Sequence, residues 1–208
     1  MSLEHKRFTE GMLGANTYLI YDTESREAAV VDTGNRVAGC FEFTRENNIR
    51  VKYIILTHGH YDHVCHIEEY IDVYAAPLCC TEEENRNLGN IRLNCSDIFD
   101  DPQEYRKADK ILKDGDVLML GREELKIIKT PGHTSGGICI LAGKYIFTGD
   151  VLFYNTIGRT DLGDGNETDL LGSLKMLSEM DPDLIILPGH GTRSTIGREK
   201  QENPFLEF

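Results

Sequence analysis

Thr57-His58-Gly59-His60-Tyr61-Asp62-His63-Val64-Cys65-His66 decides how the rest of the chain is read. It follows directly on residues 51–56, an apolar run that reads as a buried strand. His58 and His60 are two apart, so in an extended segment they project to the same side. Asp62 and His63 follow where the chain turns towards a helix. Three imidazoles and a carboxylate at one strand end are hard to explain as packing. Crowded histidines would repel one another if charged, and a shared metal ion removes that penalty.

Working outward, other strand ends repeat the theme. The chain has seven histidines. His133 closes Thr130-Pro131-Gly132-His133, just past a strand at 125–129, and His190 closes Leu187-Pro188-Gly189-His190, past a strand at 184–187. Asp150 ends Thr148-Gly149-Asp150, beyond a strand at 145–147. Four strand ends thus each deliver a metal-type ligand, a set whose number and residue types match zinc chemistry. A single Pro-Gly-His would read as an unrelated surface histidine.

The pattern between these points mixes strands and helices. Residues 17–21, 28–32 and 138–141 read as strands, and 110–120 as two short strands around the turn Asp114-Gly115. Val37, Cys40, Phe41 and Thr44 recur at helical spacing within 36–48. Leu170, Leu171, Leu174 and Leu177 mark a second helix that starts at Asn166 or Thr168. Residues 81–107 are polar and read as short helices and loops covering one end of the domain. Consecutive strands interspersed with helices predict an α/β fold of two face-to-face sheets with helices outside, not a doubly wound sheet. No G-x-G-x-x-G or P-loop supports a nucleotide site.

Composition narrows the function classes. With 208 residues and 40% hydrophobic content, the chain is expected to form a single domain, 1–208. A net charge of −13 disfavours nucleic acid and anionic membranes as partners. No apolar run suits a signal peptide or a membrane span, so a cytoplasmic location is expected. The six cysteines form no C-x-x-C pair and read as free, mostly buried thiols in a reducing compartment.

His58-x-His60-x-Asp62-His63, with His133, Asp150 and His190, resembles the dinuclear motif of the metallo-β-lactamase superfamily. The resemblance runs from Gly14-Ala15-Asn16-Thr17-Tyr18 to the last residues and implies a four-layer αββα sandwich. It further implies that His58, His60 and His133 hold one metal, that Asp62, His63 and His190 hold a second, and that Asp150 bridges them. Two divalent ions are expected, zinc first, with iron or manganese as alternatives. An aspartate at 150, where the commonest β-lactamase subclasses have cysteine, looks like the glyoxalase II type. The segment 151–161 and the tail around Glu202-Asn203-Pro204 are similar to short bacterial glyoxalase II-like hydrolases. Eighteen residues follow His190, too few for the helical C-terminal domain of full-length glyoxalase II.

The resemblance also shapes the expected chemistry. Arg159 falls where glyoxalase II has a basic residue against glutathione. It could pair with a substrate carboxylate or with Asp161. Asp161 and Thr192 stand where that family has glutathione-contacting tyrosines. His66 is expected to pack or support a ligand rather than bind metal, and Cys65 to be an inert packed thiol. Two ions about 3.5–4 Å apart would lower the pKa of a shared water to about 7. The resulting bridging hydroxide would attack an acyl thioester such as S-lactoylglutathione, with Asp62 orienting it and carrying a proton. The rival expectation is an iron oxidoreductase like the persulfide dioxygenases. These share a Gly-Arg-Thr-Asp segment but usually lack the complete second ligand set.

Overall fold

The computed structural model describes residues 2–99 and 101–207. The first half of the chain builds one six-stranded sheet from β1 (Leu3–Phe8), β2 (Thr17–Asp22), β3 (Glu27–Val31), β4 (Arg50–Ile55), β5 (Leu78–Thr81) and β6 (Lys110–Leu112). These lie in chain order, antiparallel through β3 and parallel from there on. The parallel crossovers carry α1 (Val37–Glu46), the short α2 (Tyr61–Val64), α3 (Ile67–Tyr74) and α4 (Glu82–Asn87).

The second half builds the other sheet from β7 (Val117–Leu120), β8 (Glu123–Lys129), β9 (Ile138–Ala142), β10 (Tyr145–Gly149), β13 (Ile185–Pro188) and β14 (Ser194–Thr195). A separate hairpin, β11 (Leu152–Phe153) with β12 (Thr156–Ile157), leaves the end of β10. The helices α5 (Glu167–Ser178) and α6 (Ile196–Glu202) complete the chain. Asn166 caps α5 by accepting from Asp169 N at 3.0 Å, the function for which Asn is favoured there.

Period-2 alternation divides the strand side chains between three apolar layers. Tyr18 and Ile20 of β2, Ala29 and Val31 of β3, Leu125 and Ile127 of β8, and Tyr145 and Phe147 of β10 point between the sheets. Their neighbours Leu19, Ala28 and Val30 point outward onto α1 and α3, represented by Cys40, Ile67 and Tyr70. Ile146 and Ile186 point outward onto Leu170, Leu174 and Leu177 of α5. The result is the expected four-layer αββα sandwich.

Three local features go beyond the sequence reading. The two short strands around Asp114-Gly115 are present, and they belong to different sheets: β6 joins β5 in the first sheet and β7 joins β8 in the second. The turn therefore passes the chain from one sheet to the other. The edge strands β1 and β14 carry no apolar alternation to announce them, since β1 buries only Leu3 among Glu4, Lys6 and Arg7. The helix towards which the chain turns after His63, given no bounds by the sequence pattern, is α3 at Ile67–Tyr74. Residue 100, within the polar stretch 81–107, lies outside the described residues. No helix among the described residues is long and apolar enough to cross a membrane.

Phe147 is fully buried between the sheets, 5.3 Å from the Tyr18 ring in an edge-on arrangement. Phe147→Ala is expected to lower unfolding free energy by about 3–5 kcal/mol. The check is urea denaturation, with a lower midpoint and an unchanged slope.

Candidate metal centre

The loops after β4, β8, β10 and β13 meet at one edge of the sandwich. Donor atoms of His58, His60 and His133 lie within 4.8 Å of one another, and so do those of Asp62, His63 and His190. Asp150 stands between the two groups. Its Oδ1 is 3.4 Å from His63 Nε2, and its Oδ2 is 3.4 Å from His190 Nε2 and 3.7 Å from His133 Nε2. All seven residues named from the sequence are therefore brought together. His66 is not among them; its Nδ1 lies 3.1 Å from Glu69 Oε1 on α3.

The outer hydrogen bonds fix which imidazole nitrogens face inward. Asp32 accepts from Thr57 N at 2.7 Å, from Thr57 Oγ1 at 2.8 Å and from His63 Nδ1 at 2.9 Å. The Thr57 hydroxyl has spent its hydrogen on Asp32, so at 3.1 Å it accepts from His58 Nδ1. His133 Nδ1 donates to Arg159 O at 2.7 Å. This assignment leaves the Nε2 atoms of His58 and His133 as bare acceptors and turns His63 Nε2 towards Asp150. His58 Nε2 and Asp150 Oδ1 are buried without a hydrogen-bond partner.

This arrangement fits metal ions. Donors about 2.0–2.1 Å from a tetrahedral zinc stand about 3.3 Å apart. Here His60 Nδ1 is 2.8 Å from His133 Nε2, His63 Nε2 is 3.1 Å from His190 Nε2, and His190 Nε2 is 3.1 Å from Asp62 Oδ2. Outer carboxylate and carbonyl partners on ligand histidines are the usual support for such sites.

Electrostatics separates the two groups. Burial, reinforced by neighbouring imidazoles, holds His58 well below its ordinary range and lowers His60 to about 3. Those two rings are neutral and free to ligate. Burial also works against protonation of His63 and His190, but the carboxylates win: Asp150, Asp62 and Asp32 raise His63 to about 9, and Asp150 and Asp62 raise His190 to about 10. Burial opposes ionisation of Asp150 as well, and His63, His190, His58 and His133 more than offset it, holding its carboxyl well down. The carboxylate field that raises His63 and His190 is the field that would favour a cation there.

Close approach dictates some of the sequence. A Cβ on Gly189 would lie 2.1 Å from Asp150 Oδ1 and 2.7 Å from His63 Cε1. The glycine before His190 is therefore required by space. Arg159 is exposed and pairs with Asp161 through two bonds, Nε–Oδ1 at 2.6 Å and Nη2–Oδ2 at 2.7 Å. The self-paired alternative is the one adopted. A cleft of about 440 Å³ opens over His133, Asp150 and His190, walled by Phe153, Tyr154 and Ile157 of the β11–β12 hairpin and by Arg159. All six cysteines are free. Burial and the Asp62 carboxylate push the Cys65 thiol up to about 11, and burial pushes Cys139 up to about 12.

The sequence reading missed two carboxylates. Asp32 closes β3 with a positive φ of 59°, a conformation Asp tolerates better than most residues. It holds both Thr57 and His63. Glu84, in the polar stretch 81–107, reaches under the loop between His58 and His60. That stretch also covers the loop from above: Asn94 O accepts from Tyr61 N at 2.7 Å, and Asp101 accepts from the Tyr61 hydroxyl at 2.5 Å.

The chain belongs to the metallo-β-lactamase superfamily, whose profile it matches over residues 11–190. Among its relatives, a protein of Mycobacterium leprae is 35% identical over 214 residues, covering 96% of this chain and 97% of the relative. The hydroxyacylglutathione hydrolase GloC of Haemophilus influenzae is 34% identical over 200 residues, covering 92% of each. Among solved structures, the BLEG-1 B3 metallo-β-lactamase superimposes with a TM-score of 0.90 at 31% identity, covering 99% of this chain and 100% of that one. TTHA1623 in a di-iron-bound form gives 0.85 at 25% identity, covering 97% and 100%.

Gly189→Ala is expected to leave a folded protein that retains metal at least about tenfold more weakly. Metal content after dialysis against a competing chelator checks this; wild-type retention would contradict the close-packing argument.

Proposed function

We propose that the protein is a metal-dependent hydrolase of acyl thioesters, with a hydroxyacyl thioester such as S-lactoylglutathione as the first candidate. The observation that carries this reading is Asp150 standing between two complete donor triads on the floor of an open cleft. In this reading His58, His60 and His133 would hold one divalent ion and Asp62, His63 and His190 the other, with Asp150 placed to serve both. Five imidazoles among seven ligands favour zinc, and iron or manganese can use the same donors. Two such ions supply an activated water near neutral pH and a Lewis acid for a carbonyl oxygen.

The chain's own groups do the rest. Asp62, kept ionised by His63 and His190 against the effect of burial, orients the attacking water and takes its proton on a carboxylate oxygen. His133 and His190 are held at the cleft floor, His133 by the Arg159 carbonyl. Phe153, Tyr154 and Ile157 exclude water from the acyl or thiol arm. The 34% identity to a hydroxyacylglutathione hydrolase supports the substrate class. The partner is a small molecule rather than nucleic acid or membrane, in keeping with the −13 charge, and the location is the cytoplasm. The alternative, an iron oxidoreductase of the same fold resembling persulfide dioxygenases, would leave the complete Asp62-His63-His190 triad without a task.

Zinc-loaded protein should hydrolyse S-lactoylglutathione or a related thioester, lose the activity to a chelator and regain it on re-addition of metal. His58→Ala and Asp62→Asn should each lower kcat/KM by about 10²–10⁴ while the fold persists by circular dichroism. Unchanged turnover in both variants overturns the reading. So does a β-lactam opened faster than any thioester, or one iron per chain with oxygen uptake on glutathione persulfide.

A further inference from the structure

Glu84 is completely buried in the first turns of α4. Among the described residues no lysine, arginine or histidine pairs with it. Instead four donors converge on its carboxylate. Gly59 N at 2.7 Å and Asn87 Nδ2 at 3.4 Å reach Oε2. Thr134 Oγ1 at 2.6 Å and Gly136 N at 3.1 Å reach Oε1.

The identity of the donors is informative. Gly59 lies between His58 and His60, and Thr134 directly follows His133. One carboxylate therefore grips both loops that carry the His58, His60 and His133 triad, one loop on each oxygen. Asn87 extends the grip by donating to Asp164 Oδ2 at 3.1 Å, and Asp164 in turn accepts from Ser135 N at 3.0 Å and Ser135 Oγ at 2.5 Å. The other triad depends on different supports, chiefly Asp32 on His63.

A buried carboxylate without a cation is costly, and packing alone would be served better by leucine or methionine. Burial, with Asp164 adding to it, pushes the Glu84 carboxyl up to about 7. A position that keeps so unfavourable a group needs acceptors at both ends of one short side chain. Glutamine has the shape but not the chemistry: its amide NH₂ would face either the Gly59 N–H or the Gly136 N–H.

We propose that Glu84 is the positioning residue for the metal position formed by His58, His60 and His133, clamping their two loops at the spacing one ion requires. Its charge, one peptide away from His58 and His60, also favours a cation there. The assignment does not rest on the thioester reading, because its readout is metal affinity.

The test compares two backgrounds by zinc competition with a chromophoric chelator. In His190→Ala, which keeps the His58-His60-His133 triad complete, Glu84→Gln should weaken zinc binding roughly 10–100-fold. Glu84→Asp, which keeps a charged two-oxygen acceptor, should recover part of the loss. In His133→Ala, which keeps the other triad, Glu84→Gln should change affinity by no more than about twofold. Equal losses in the two backgrounds, or no loss in the first, overturn the proposal. If Glu84→Gln does not fold by circular dichroism, Thr134→Val decides the matter. It removes one donor from the clamp, so several-fold weaker zinc binding is expected in the first background only, and unchanged binding there overturns the proposal.

Discussion

Bare imidazole nitrogens and carboxylate oxygens cannot be held 3–4 Å apart in a buried space unless positive charge lies among them. Asp62 and Asp150 draw protons towards His63 and His190 for this reason, raising both. Divalent ions held by the same donors would meet the same need. The surrounding structure serves this requirement. Strand ends point the donors inward, Gly189 makes room between Asp150 and His63, and outer acceptors orient the rings.

The centre is shared unevenly between the halves of the sandwich. The first sheet contributes four candidate ligands from one loop after β4, together with Asp32 and Glu84 as anchors. The second sheet contributes three candidates singly, from the ends of β8, β10 and β13. Asn16 Nδ2 and the Tyr18 hydroxyl both donate to Pro188 O, at 2.8 and 2.9 Å. These bonds tie β2 to the strand that delivers His190, so the relative placement of the sheets and the geometry of the ligands are one problem. Among the described residues that wall the cleft, Arg159 is the one arginine or lysine, and Asp161 pairs with it.

The seven residues gathered at the candidate centre were legible in the sequence because histidine pairs and Pro-Gly-His ends at strand termini have few other uses. The inter-sheet core was legible because its strands alternate apolar residues at period 2. The edge strand Leu3–Phe8 was not, since one buried leucine among charged neighbours carries no pattern. In the 110–120 segment the two strands and the turn were legible, but a turn signal does not say which sheet receives each arm. Asp32 and Glu84 escaped notice for a deeper reason. A carboxylate in sequence looks like surface, and its burial depends on donors that folding brings from far along the chain: Thr57 and His63 for Asp32, and Gly59, Thr134 and Gly136 for Glu84.

Arg7 donates to Gly191 O at 2.7 Å and Asn16 to the same oxygen at 3.2 Å, contacts that span 184 and 175 residues of sequence. Closing loops of this length costs entropy before any contact rewards it, and chains dominated by such contacts fold slowly. The candidate centre depends on the same closure, because His133, Asp150 and His190 must be carried to the 58–63 motif from far along the chain.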